Sequence, residues 1–429
     1  MEKFPMFCPS WHRWLILGVL VLIMAAVTKN HVASWNDASR MAVVESIVER
    51  GTLIIDRSSF VGTGDKVFFR GHFYSDKPPM LSVIGAAMYW FLHQCGISLS
   101  GSAGKGYYWI TLLTIGLGWL LCVCCFYLAL SLVQIKEKYR ILLTLSLGLG
   151  TIFFPWSTVF NNHSIAASLL FVGFYFLLQA RFSGGGKHRL FFSGLFFSLA
   201  GVIDVPSALF YAGFIIYIVF EKSLRKDISY FCLPLLVTAL PAVVLNFLIT
   251  GDFIPAEIHR QAWIYPGSPW IWGAGLSGFE LNRGSFLAEY SFNALIGSRG
   301  FFLYDPLFLL SGYCLWVEIY CKKRFYKEAI VVGAVSIVIM LYYLLTTSNY
   351  GGWSYGVRWL VSLIPITAFF LYNFFERMKS FKRIVFSVFL LISVAVSSVG
   401  LINPWARCAG GEGPIMNNLQ DFFILSSVK

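Results

Sequence analysis

Charge is what this sequence is short of. Only 13% of its 429 residues are Asp, Glu, Lys or Arg, where a soluble domain carries about 25%. Those residues normally face water on a globule, so a soluble single-domain enzyme is excluded. Disorder is excluded as well, because 57% of the chain is hydrophobic and 18% aromatic, the opposite of a composition that cannot bury a core. Acid is scarcer than base: 21 Asp+Glu stand against 33 Lys+Arg, a net +12. On a soluble protein that excess would suggest nucleic acid. On a chain this apolar it points to the Lys/Arg bias of cytoplasmic loops, and no nucleic-acid partner is expected. None of the nine cysteines has histidines at zinc-ligand spacing; Cys122, Cys124, Cys125, Cys232 and Cys314 sit in apolar runs and read as small buried hydrophobes.

What is present is a succession of long apolar runs. A hydrocarbon layer about 30 Å thick needs about 20 apolar residues per helix, and 12–29, 107–134, 141–160, 162–181, 229–249, 301–320, 327–347, 356–374 and 382–402 qualify. The stretch 189–220 is too long for one pass and is broken by Asp204 and Pro206, so it reads as two short spans meeting at an outer turn. The expected fold is an all-α polytopic membrane protein. It forms one transmembrane domain over 1–429 with about 11 helices, at most about 13. Lys3 and Arg13 before the first run look like a signal peptide; an uncleaved signal-anchor is expected, with its N-terminus in the cytoplasm, because an informative motif follows at once.

The run 79–95 decides the topology. The linkers 136–140, 181–189, 222–226, 322–327 and 377–383 are all rich in Lys/Arg. If 79–95 crossed the bilayer they would all lie outside; if it is a partial or surface-lying helix, all lie inside, as the positive-inside rule demands. The second arrangement places the C-terminus outside, balances acids and bases there, and puts the whole excess inside. Segments 30–106 and 250–300 are then large outer loops, with 403–429 an outer tail, in a bacterial inner or plasma membrane.

The first outer loop carries the informative residues. Trp35-Asn36-Asp37-Ala38-Ser39-Arg40 is followed by Met41, Val44, Ile47 and Val48 at helical spacing and is stopped by Gly51, which predicts an amphipathic helix lying on the membrane surface. Asn36 or Asp37 is its expected N-cap. Asp37 is either a cap and nothing more or, held ionised by the helix dipole with Arg40 one turn on, a general base. Farther along, Asp76-Lys77-Pro78-Pro79-Met80-Leu81 leads into the 79–95 helix; the double proline fixes the approach and positions Lys77 as a cation suited to a lipid phosphate, unless Lys77 only snorkels. The stretch Trp263–Trp272 is aromatic and turn-rich, an interfacial belt or a platform for sugar or prenyl chain. Asp204 reads as a helix cap more readily than as a cavity residue.

A first span, an Asp-x-x-Arg helix, a strand-like piece Gly51-Thr52-Leu53-Ile54-Ile55-Asp56 and then Asp-Lys-Pro-Pro-Met-Leu together resemble the GT-C superfamily of membrane glycosyltransferases, in the branch that holds the protein O-mannosyltransferases and the lipid A aminoarabinose transferases. Weaker likeness runs through Pro155-Trp156-Ser157 to His163, Arg299-Gly300 to Pro306, and Tyr350-Gly351-Gly352-Trp353-Ser354 to Arg358. The resemblance implies transfer of a sugar from a polyprenyl-phosphate carrier to a lipid, glycan or protein acceptor at the outer membrane face. It implies that Asp37 is catalytic and that Lys77 and Arg40 serve the donor phosphate; Arg299 and Arg358, each beside a glycine at an outer span end, are candidates for the same task. Asp76, His163, Tyr304, Tyr350 and Trp353 are candidate substrate contacts. One departure stands out: where many members carry a second acid, this chain reads Phe160-Asn161-Asn162-His163. Either His163 takes that place or the divalent metal used by some members is absent. A secondary transporter or flippase is the alternative, but no internal repeat is found and the charges gather in an outer loop rather than within spans.

Overall fold

A backbone removed from water must satisfy its own N–H and C=O groups, and a helix does so within one segment. The computed structural model describes residues 11–100, 105–183, 186–270, 283–376, 380–407 and 413–427, and over these the chain is helical apart from one hairpin. In order come α1 (Trp11–Val27), α2 (Trp35–Arg50), β1 (Lys66–Phe69), β2 (His72–Ser75), α3 (Met80–Gln94), α4 (Lys105–Leu132), α5 (Glu137–Leu149), α6 (Asn162–Phe182), α7 (Gly186–Ile203), α8 (Ala208–Phe220) and α9 (Ile228–Thr250). They are followed by α10 (Gly284–Leu295), α11 (Pro306–Tyr320), α12 (Tyr326–Thr346), α13 (Arg358–Phe375), α14 (Ser380–Gly400) and α15 (Pro414–Ser427). Among the described residues six helices are long and apolar enough to cross a membrane, and Trp14–Val27, Val205–Phe220 and Pro306–Tyr320 are shorter apolar helices. The core is built on α6, which packs on α4, α7 and α13, while α9 closes over α7.

The basic linkers meet at one end of this bundle. Arg181 pairs with the buried Glu328, which also accepts a bond from the Tyr217 hydroxyl at 2.6 Å. Lys327 pairs with Glu221 at 2.8 Å, Lys323 with Glu376, and Arg324 donates to the Leu132 carbonyl at 2.8 Å. The opposite end holds α2, the hairpin and the first turns of α4, α6 and α13. Helix α3 starts there, after Lys77. The chain is still there at Tyr107, whose hydroxyl donates to Asp37 at 2.9 Å and accepts from the Phe160 N–H at 3.1 Å. The chain thus enters the 79–95 helix and starts α4 at the same end of the bundle. Helix α3 buries Leu81, Gly85 and Tyr89 against its neighbours and turns Trp90 and Phe91 outward.

Two expectations for the first outer loop are corrected. Helix α2 does not lie on a surface: Asn36 through Ser46 are all buried, because α3 and β2 cover its polar face as well as its apolar one. The charges that its sequence spaces off the apolar stripe are consequently internal. Glu45 accepts from Ser58 Oγ, the Ser59 N–H and Ser59 Oγ, and pairs with Arg50, which ties down the loop after Gly51. Residues 51–56 are irregular rather than strand-like; the strand pair lies just beyond, in register Val67↔Tyr74 and Phe68↔Phe73. Arg70 and Gly71 both have positive φ (50° and 86°), the two-residue turn whose twist matches an antiparallel pair.

The closest helix approach sets the fold prediction. A Cβ at Gly194 of α7 would fall 1.9 Å from the Phe231 carbonyl oxygen of α9, and backbone cannot step aside as a flexible side chain can. Gly194→Ala is expected to cost about 3 kcal/mol, the upper range for overpacking, read as a lowered melting temperature in detergent. An unchanged melt would mean that the two helices are not in contact there.

Candidate active site

The site grows from the start of α2. Its N-cap is Ser34, not Asn36 or Asp37: the Ser34 hydroxyl accepts from the Asn36 and Asp37 N–H groups, and Asp37 Oδ1 accepts in return from the Ser34 N–H at 2.8 Å, a reciprocal capping box. The other Asp37 oxygen accepts from the Ala33 N–H at 3.1 Å and from Tyr107 Oη at 2.9 Å. Burial pushes the Asp37 carboxyl above its usual range, and the bonds from Ala33, Ser34 and Tyr107 oppose that. Asp37 is fully buried and stands behind the wall of the neighbouring cavity rather than on it. The geometry thus gives the expected base a structural post, clamping the α1–α2 turn to α4.

That cavity encloses about 1400 Å³, more than the 300–1,000 Å³ usual for small-ligand pockets. Arg40, one turn beyond Asp37, faces it. The hairpin delivers Ser75, Asp76 and Lys77 to its floor, held by Asp56, which accepts from the Phe73 N–H and from His72, both at 2.7 Å. Ser39 Oγ bonds Ser75 Oγ at 2.6 Å and Asp76 at 3.3 Å. Lys77 Nζ lies 2.6 Å from Asp76 and 2.9 Å from Asp65. Burial alone would lower the Lys77 pKa, but Asp65 and Asp76 outweigh it and hold the amine above its usual value. The lysine is therefore cationic but already matched by two carboxylates.

The arginines are not matched. Arg40 Nη2 donates to Asn162 Oδ1 at 2.8 Å, whereas Arg40 Nε and Nη1 and Arg358 Nε and Nη1 are buried without a hydrogen-bond partner among the described residues. The Arg358 guanidinium sits 4.8 Å from the Trp405 ring centre. Burial pulls Arg40 down to about 10; Asp76 opposes this and Arg358 adds to it, so Arg40 remains charged at neutral pH. A buried polar group left unpaired costs about 1–3 kcal/mol, more when it is charged. Two such cations on one cavity wall make a site for an anion.

A further acid stands where the sequence lacks one. Asp204, at the α7–α8 turn, accepts from Asn162 Nδ2 at 2.9 Å and Ser207 Oγ at 2.8 Å, and lies 3.2 Å from His163 Nδ1. It is not merely a helix cap: it completes a chain from Arg40 through Asn162. Sequence spacing does not reveal it, because Asp204 comes from a different turn. Glu257, which the sequence analysis does not single out, occupies the turn Ala256–Ile258 and lines the cavity; its carbonyl accepts from Trp263 Nε1 at 3.0 Å. Trp263 and Trp270, edge to face at 6.1 Å, line the same cavity, so the described part of the aromatic stretch is a wall of the site; Ile271 and Trp272 lie outside the described residues.

The remaining candidates divide. Trp353 lines the cavity. Arg299 does not: it lies 5.1 Å over the Tyr350 ring and reaches the Gly352 carbonyl at 3.5 Å. Tyr350 stacks on Tyr290, outside the cavity. Tyr304 is fully buried, donating to the Ser298 carbonyl at 3.1 Å and accepting from the Ile415 N–H at 3.2 Å, a structural role. No group of three or more His, Cys, Asp or Glu side chains among the described residues could hold a metal ion.

Neither a family model nor a curated protein sequence matches the chain. Solved structures do. The crystal structure of ArnT from Cupriavidus metallidurans bound to undecaprenyl phosphate is 12% identical, with a TM-score of 0.57 over 92% of this chain and 71% of that one. The same enzyme in the apo state is 14% identical, with a TM-score of 0.55 over 96% and 77%. The chain shares the fold of these two structures. At such identity the likeness concerns architecture. Within this fold the cavity bordered by Arg40 and Arg358 sits at the end opposite the basic linkers.

Asp37 yields the stability prediction. Asn at 37 cannot accept from both the Ala33 and Ser34 N–H groups through the oxygen pair the carboxylate provides. Asp37→Asn should destabilise the protein by about 2 kcal/mol, the upper range for loss of a cap, measured by thermal unfolding in detergent. A variant as stable as wild type would return Asp37 to the list of candidate bases.

Proposed function

We propose that the protein is a membrane glycosyltransferase that moves a sugar from a polyprenyl-phosphate donor to an acceptor hydroxyl at the outer membrane face, with inversion at the anomeric carbon. The observation that carries this is a pair of arginines, Arg40 and Arg358, that line one cavity and make no ion pair among the described residues. Arginine presents a planar fork that matches phosphate oxygens. A glycosyl phosphate needs no acid to expel its leaving group, unlike a glycoside, which needs paired carboxyls. As the bond from anomeric carbon to phosphate oxygen breaks, its electron pair stays on the phosphate, and preorganised cations stabilise that growing charge. Lys77, held by Asp65 and Asp76, orders the floor.

The surroundings suit such a donor. Val205, Leu209 and Ala212 on the α8 side form an apolar wall beside the charged floor, where prenyl units would lie, and Trp263, Trp270 and Trp353 offer faces to a sugar. The ArnT structure of the same fold holds undecaprenyl phosphate. By the positive-inside rule the end tied together by Arg181, Arg324 and Lys327 is cytoplasmic, which puts the cavity outside.

Purified protein in liposomes, given radiolabelled polyprenyl-phosphate sugars and membrane extract as acceptor, is expected to transfer label. Arg40→Ala and Arg358→Ala should each reduce transfer about 100-fold, the effect of removing one donor from such a hole. Failure of the wild type with every donor, or undiminished transfer by both variants, contradicts the proposal.

A further inference from the structure

If the cavity binds a glycosyl phosphate as proposed above, something must take the acceptor's proton, and Asp37 is walled off from it. Among the described residues four with carboxyl groups line the cavity: Asp65, Asp76, Asp204 and Glu257. Three are engaged. Asp65 and Asp76 share the Lys77 amine; Asp204 receives Asn162, His163 and Ser207. Glu257 has no side-chain hydrogen-bond or ion-pair partner among the described residues, is only half-buried, and lines the cavity.

We infer that Glu257 is the general base of the transfer, receiving the proton of the acceptor hydroxyl from the loop side of the cavity while Arg40 and Arg358 hold the donor phosphate. Its backbone suits a group that must be aimed. The turn is anchored on both sides, by Trp263 Nε1 on the Glu257 carbonyl and by the Ala256 N–H on Asn246 Oδ1 at 3.2 Å. The side chain is thus presented from a fixed turn with its oxygens free. His163, which also lines the cavity, spends one ring nitrogen on Asp204 and is nearly fully buried. The groups facing Glu257 are Asp76 and Lys77 from the hairpin exit, Arg40 from α2, Asp204 from the α7–α8 turn and Tyr343 from α12. Burial, with Asp76 adding to it and Lys77 and Arg40 opposing, lifts the Glu257 carboxyl to about 7, which is where a base exchanges protons readily at neutral pH.

The step balances. The acceptor oxygen forms a bond to the anomeric carbon, its proton passes to a Glu257 oxygen, and the carbon–phosphate-oxygen bond breaks with the electron pair left on the polyprenyl phosphate. Glu257 then returns the proton to solvent.

The test compares wild type, Glu257→Gln and Glu257→Asp in the liposome assay, with polyprenyl phosphate binding measured separately. Glu257→Gln is expected to lose about 10³-fold in transfer, within the range for general-base catalysis, while binding polyprenyl phosphate like wild type. Sodium azide, an anionic nucleophile that brings no proton, should restore sugar release from the donor in Glu257→Gln as a glycosyl azide, and Glu257→Asp should regain part of the transfer. Wild-type kcat/KM should rise with pH through about 7 and level off, since the base acts when deprotonated, and Glu257→Gln should lack that limb. Transfer by Glu257→Gln equal to wild type, a loss that azide does not repair, or a flat wild-type profile overturns the inference while leaving the transferase reading intact. A wild type that uses no donor at all defeats that reading instead.

Discussion

Two guanidinium groups, those of Arg40 and Arg358, are held inside the protein with hydrogen-bonding capacity to spare, and much of the site's construction follows from that constraint. Like charges brought out of water repel, and each would destabilise the fold by several kcal/mol if left without compensation. Compensation comes from a distance. Asp76 and Asp204 act on Arg40, and Asp65 and Asp76 on Arg358, but none of these acids makes an ion pair with either arginine among the described residues. The acids are instead committed to Lys77 or to the Asn162–His163–Ser207 cluster. The arrangement keeps the arginines charged without quenching them, as a phosphate site requires.

The burial of α2 follows the same logic. A helix carrying Asp37, Arg40 and Glu45 would ordinarily show that face to water. Here α3, the hairpin and the loop after Gly51 cover it, and each charge meets a different solution: Asp37 in a cap, Glu45 in a serine-lined pocket with Arg50, Arg40 beside the cavity. Sealing the helix fixes Arg40 relative to Arg358, which arrives from the other end of the sequence on α13. A group held on a rigid, buried helix loses little when a ligand binds, and such preorganisation makes the electrostatic contribution large.

The large features were legible because they follow from composition and periodicity. Apolar runs gave the helices, six of them long and apolar enough to cross a membrane among the described residues. Arg40, Asp76, Lys77, His163, Arg358 and Trp353 were found at the cavity. What stayed hidden depends on partners distant in sequence. The apolar spacing of α2 says which face is greasy but not that its polar face will be covered. Asp37 looked like a base because one-dimensional spacing shows a carboxylate at a helix start and not the Ala33, Ser34 and Tyr107 donors that occupy it; the Ser34-x-x-Asp37 pattern did carry the capping-box signal. Arg299, Tyr350 and Tyr304 share a neighbourhood in sequence with glycines and span ends, yet they pack against one another's surroundings away from the cavity. Asp204 and Glu257 are single acids in turns, with nothing beside them in sequence to mark a site.

The central claim is that Arg40 and Arg358 form the phosphate seat. A cryo-EM map of the protein in lipid nanodiscs with undecaprenyl phosphate tests it most directly. The account requires phosphate density in the cavity, within hydrogen-bond distance of both guanidinium groups, with the prenyl chain leaving along Val205 and Leu209. Phosphate density at the opposite end, among Arg181, Arg324 and Lys327, or a cavity left empty with the lipid bound elsewhere, would contradict it.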